Sequence, residues 1–99
     1  MTEILDDDGY PTDEFLEKIS SWPYQEGFNS LLDFAMQGHI YPNYRDKEEK
    51  DGKIIWRIST GGWSGNESII YALQENAMFW MTCWVQSRRG GHYIFECRN

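Results

Sequence analysis

Proline is scarce in this chain, with three residues, and cysteine is scarcer, with two. So little proline excludes collagenous and proline-rich linker architectures, and two cysteines exclude a disulfide-stapled scaffold. No stretch approaches the ~20 apolar residues needed to cross a membrane. The opening Met1 to Gly9 is acidic and has no apolar segment, which argues against a secretory leader. Bases are also in short supply, nine Lys and Arg against sixteen Asp and Glu, and the net charge of -7 disfavours nucleic acid as a partner. The expectation is a cytoplasmic protein with reduced thiols and no membrane association.

Aromatic residues, by contrast, are abundant. Five Trp, six Tyr and five Phe in 99 residues exceed what one small core absorbs, so some rings are expected at the surface, available to a partner. The length suits a single domain, 1–99, with residues 1–11 as a flexible lead-in. Charge is divided unevenly. Residues 1–51 carry thirteen acids and four bases, and residues 52–99 three acids and five bases, so an acidic half of -9 adjoins a basic half of +2. The acidic half suits a basic protein partner. Cys83, Cys97, His39 and His92 could be gathered around zinc, but C-x8-H-x4-C is not a zinc-finger spacing, and buried thiols are the simpler reading. Neither metal nor cofactor is expected.

Along the chain, Thr12 is a good N-cap for a helix over 13–20, with Asp13 and Glu14 at its positive end. Trp22-Pro23 ends that helix. Phe28, Leu31, Leu32 and Ala35 recur at helical spacing and predict a second helix over 24–37, opened by Pro23 and capped by Gly38. Residues 39–52 read as an exposed connection with a short edge strand near Tyr44 and a turn at Asp51-Gly52. Lys53 to Thr60 alternates as a strand, with Ile54, Trp56 and Ile58 inward. Ser64 and Glu67 have capping-box spacing at the head of a helix over 65–76, which Asn76 can end in the left-handed conformation. Met78 to Gln86, apolar on both faces, reads as a strand needing cover on both sides. A three-residue Arg89-Gly90-Gly91 loop then returns the chain as a strand over 92–98, setting Cys83 opposite Cys97. The expected fold is α+β: a three-stranded mixed or antiparallel sheet from 53–98, packed with two N-terminal helices and one crossover helix. Its core comprises Phe28, Leu31, Leu32, Ile69, Leu73, Phe79, Met81 and Phe95.

The strings STGGWSGNE, ALQEN, FWMTCW and SRRGGHYIFE, with DGYPT near the start, resemble a family of small uncharacterised proteins spread through bacteriophages, prophages and bacterial genomes. The resemblance runs over most of the chain and is weakest at 39–52. It carries no catalytic residue with it. It implies a small accessory protein that a phage deploys on a host component.

The residues themselves point to one edge. If the strands over 53–60 and 77–86 were parallel, with 65–76 as a right-handed crossover, then Gly61, Gly62, Trp63, Ser64, Gly65 and Asn66 would converge with Arg88, Arg89 and His92. A glycine loop at a helix N-terminus with two arginines suits a small anionic ligand of nucleotide or phosphate type. Catalysis would require Ser64 beside His92 with Glu67 or Glu96 as orienting acid, and Ser64 is already accounted for as a cap, so no enzyme is expected. Surplus aromatics and acidic helices favour a protein-binding module acting on a host or bacterial protein through this same edge, with Trp63 as contact area, and sequestration of a small anion there is the alternative.

Overall fold

The computed structural model describes residues 3–39 and 44–98. Before the first helix, the Asp6 carboxylate accepts from the amides of Asp8 and Tyr10, at 2.9 and 3.0 Å, holding a tight turn. Helix α1 is Asp13–Ser20, and the Thr12 hydroxyl accepts from the Phe15 amide as the cap chemistry requires. The second helical region is split. Gly27 adopts φ 87°, outside the helical region, so a 3-10 turn at Tyr24–Glu26 is separated from α2, Phe28–Ala35. Gly38 is not the left-handed cap that was expected. It lies under the Phe15 ring, where a Cβ would come within 2.6 Å of Cε2, so its role is close approach rather than backbone geometry.

The sheet has four strands rather than three. Strand β1, Arg45–Lys50, pairs antiparallel with β2, Lys53–Ser59, through an Asp51-Gly52 turn whose φ values of 54° and 77° match a type I′ hairpin. The charged segment expected as a solvated loop is therefore an edge strand. Residues 40–43 of the stretch expected as a connection lie outside the described residues. The strand order is β1-β2-β4-β3, with β4 His92–Arg98 and β3 Trp84–Arg88, and every pairing is antiparallel. Ile54, Trp56 and Ile58 of β2 and Phe95 and Cys97 of β4 are buried against the helices. The other face, with Arg57, Ile55, His92, Ile94 and Glu96, carries cross-strand ion pairs: Arg57 bridges Asp46 and Glu48, and Lys53 pairs with Glu96.

The largest departure from expectation is at residues 77–86. Helix α3, Ser64–Glu75, runs almost directly into α4, Ala77–Cys83, and only Trp84 onward is strand. The parallel crossover is thereby ruled out, because β3 pairs with β4 alone and lies at the edge. The physical reason is that a stretch apolar on both faces has no period of its own. Phe79 and Cys83, which point inward, are four residues apart and fit a helix as well as they fit an alternating strand. Asn76 decides between them: its side-chain oxygen accepts from the Phe79 amide at 3.2 Å and starts α4. The three-residue hairpin loop is as expected, with Arg88 opposite His92.

Of the eight expected core residues, Leu31, Leu32, Ile69, Leu73, Phe79 and Phe95 are fully buried and Phe28 partly so. Met81 is 84 % exposed because the helix turns it outward. Asn76 is itself buried and does not adopt the left-handed conformation. Its amide nitrogen donates to the carbonyls of Ile19 and Trp22, at 3.1 and 3.0 Å, tying the end of α1 to the α3–α4 junction. Asn76→Ala leaves two carbonyls and one helix-start amide without their partner. It is expected to cost roughly 2–4 kcal/mol in a urea titration. Asn76→Asp, which keeps the cap oxygen but sets a carboxylate oxygen against those two carbonyls in a buried site, should cost at least as much as Asn76→Ala at neutral pH.

Candidate functional site

Strands β2 and β4 are antiparallel neighbours, so the end of one lies beside the start of the other. Thr60, just beyond β2, donates its amide to the Gly91 carbonyl at 3.0 Å. The same residue's carbonyl accepts from the Asn66 side chain at 3.0 Å and from the Trp63 amide at 3.2 Å. The glycine turn and the arginine hairpin thus share one end of the sheet, by a route other than a parallel crossover. His92 hydrogen-bonds there to the Ser59 hydroxyl through Nδ1.

Within this region the sequence-derived site residues divide into two sets. Gly61, Gly62 and Ser64 are exposed, whereas Gly65 and Asn66 are buried. Trp63 is half-buried: its indole covers Gly65, where any Cβ would collide with the ring, and it packs on Tyr10 with centroids 5.2 Å apart. The capping box does not form. Trp63 occupies the N-cap position without a side-chain hydrogen bond, and the Ser64 carbonyl accepts from the Ser68 hydroxyl. Arg88 donates to Gln86 on its own strand at 2.6 Å, and Arg89 is exposed at the hairpin tip. The serine hydroxyl that meets His92 is that of Ser59, not Ser64.

The four residues considered for zinc are not gathered into one site. His39 is buried and donates from Nε2 to the Ser59 carbonyl at 2.8 Å, while Cys83 and Cys97 meet in the core with sulfurs 3.4 Å apart. Among the described residues no cluster of three or more metal-ligating side chains occurs. Arg45 donates to the carbonyls of Met36 and His39, closing the end of α2. Burial holds the His39 imidazole below the usual histidine range, and the Arg45 charge adds to this, against a partial offset from the Ser59 hydrogen bond. Its Nδ1 has no hydrogen-bond partner among the described residues.

A second surface is formed by the segment that sequence reasoning took for a strand. Met78, Met81, Trp84 and Val85 are 55, 84, 42 and 48 % exposed, four large apolar side chains within eight residues. Trp80 stacks on Trp84 with centroids 6.0 Å apart, which holds the indole in place. Beside this patch a cavity of about 580 Å³ opens between the 3-10 turn, α4 and β4, lined by Tyr24, Phe28, Met78, Val85 and Arg98. The available signal was the apolar character of both faces of Met78 to Gln86, which already called for cover that the chain does not supply. No protein-family model matches the chain, and no curated protein or solved structure matches it at a significant level.

The His39 environment generates a pH prediction. In the unfolded chain histidine takes up a proton near pH 6.5, whereas buried His39 takes one up only at lower pH. Below about pH 6.5 the unfolded state therefore binds more protons, and stability falls with pH. The urea midpoint should drop between about pH 7.5 and 5.5 in wild type, and His39→Gln should show a shallower drop.

Proposed function

We propose that this chain is a small non-enzymatic accessory protein that binds another protein through the apolar surface formed by α4 and the start of β3. The observation that carries this reading is the exposure of Met78, Met81, Trp84 and Val85 on one short segment, in a chain otherwise rich in charge. Exposed clusters of this kind mark interaction sites; methionine is enriched at interfaces, and tryptophan is prominent among the residues that dominate their energies. Trp84 is pre-ordered by Trp80, so little side-chain freedom is lost when a partner covers it. The resemblance to phage and prophage proteins supports a host or bacterial protein as the target, with modulation or inhibition of a host defence component as the role.

A second reading, capture of a small nucleotide- or phosphate-like anion by the Gly61 to Asn66 turn with Arg88, Arg89 and His92, draws support from one feature. The N-terminus of α3 has no side-chain cap and lies beside the arginine hairpin. The two readings separate experimentally. Met81→Glu with Trp84→Ala should weaken capture of a bacterial protein at least about tenfold, while Arg88→Ala with Arg89→Ala leaves it intact. Affinity for ATP or inorganic phosphate in calorimetry, lost in the double-arginine variant, would favour the anion. Capture unchanged in a folded Met81→Glu, Trp84→Ala variant, with circular dichroism as the folding control, would refute the surface named here.

A further inference from the structure

Cys83 is the last residue of α4 and Cys97 lies near the end of β4, so two elements remote in sequence bring their thiols together. The sulfurs are 3.4 Å apart, and each residue is only 2 % exposed. Buried thiols are ordinarily inert for want of access. These two, however, line the cavity of about 580 Å³ beside the apolar surface, with Phe28, Met78 and Val85 around them and Arg98 also on its wall. That volume falls within the range of sites that hold small molecules. A disulfide requires the sulfurs to approach to about 2.05 Å, so they must close by roughly 1.4 Å. Side-chain rotation can supply a movement of that size.

We propose that Cys83 and Cys97 are a reactive dithiol that a low-molecular-weight disulfide oxidises through this cavity, forming a Cys83–Cys97 bond that fastens the end of α4 to β4. The thiol of Cys97 donates a hydrogen bond to the Cys83 sulfur. That bond holds the Cys83 thiol below its ordinary range and, together with burial, pushes the Cys97 thiol up. Cys83 is accordingly the attacking sulfur. Its thiolate attacks one sulfur of the small disulfide, forming a mixed disulfide and expelling a thiolate, which leaves as a thiol with the proton that Cys83 gave up. Cys97 then loses its proton and attacks the Cys83 sulfur, expelling the second small thiolate, which takes that proton. The protein loses two protons and two electrons, and the small disulfide takes them up to become two thiols. The bond forms in the wall of a cavity that Met78 and Val85 also line, so oxidation state bears on the rigidity of the same outer surface.

The test uses the reduced full chain under native conditions with hydroxyethyl disulfide as the probe, followed by intact-mass spectrometry and thiol titration. The expected result is a monomer lighter by two hydrogens in which neither thiol titrates. Cys97→Ser should stop at a mixed disulfide on Cys83, and it should form that adduct at least several-fold faster than Cys83→Ser forms one on Cys97. Val85→Trp, a change at an exposed residue, should obstruct the cavity and slow wild-type oxidation several-fold. Wild-type chain that stays reduced while a urea-unfolded control is oxidised would overturn the proposal. So would arrest at a mixed disulfide, cross-linking between two chains, or oxidation that Val85→Trp leaves unchanged. The wild-type measurement decides even if a cysteine variant fails to fold.

Discussion

One buried carboxamide holds the helical layer together. Asn76 sits where α3 ends and α4 begins, and its side chain uses its oxygen on one helix and its nitrogen on the end of another. A helix end presents carbonyls that need donors, and a helix start presents amides that need acceptors. A carboxamide answers both at once, because its oxygen accepts while its nitrogen carries two N–H donors. Because α1 is anchored there, Phe15 and Ile19 are held in the core, and Phe15 in turn fits over Gly38.

The sheet is tied to that layer by fewer and more local devices. The Trp56 indole of β2 donates to Asn29 of α2 at 3.3 Å, and the Lys47 ammonium of β1 lies 4.9 Å from the Trp56 ring centre while pairing with Asp33 of α2. Half-exposed ion pairs of this sort contribute little on their own. Their effect here is to keep β1, which has no apolar side chain, against the rest of the molecule. Phe79, Phe95 and Trp80 supply the apolar contact at the opposite side, with ring centroids 5.2 Å apart for the two phenylalanines and 5.6 Å for Trp80 and Phe95.

Much of this was legible in the amino-acid sequence where a local rule had no competitor. Thr12 as cap, the 92–98 strand after a three-residue loop, and the inward set Ile54, Trp56 and Ile58 each follow from one spacing. What was not legible depended on distant partners. Asn76 looked like a helix stop, and its role as a bridge becomes apparent only once α1 is in place. The segment RDKEEK looked like a loop because strand propensity is low for charged residues, and its pairing with β2 is imposed by the Asp51-Gly52 turn. At the candidate site, the proximity of the glycine turn to His92 was anticipated for the wrong topological reason. The outward methionines were missed because a strand reading assigned Met81 to the core.

Strand β1 carries six consecutive charged residues along one edge of the sheet, while β3 at the other edge is short and bulged and has an apolar start. An edge of mixed acidic and basic residues resists further main-chain pairing, since a newcomer would have to desolvate those charges. Polymerisation by strand addition requires two receptive edges on every molecule. Here one edge is charged throughout and the other is short and bulged, so neither invites strand addition, and an exposed apolar segment can be kept for recognition without seeding fibrils.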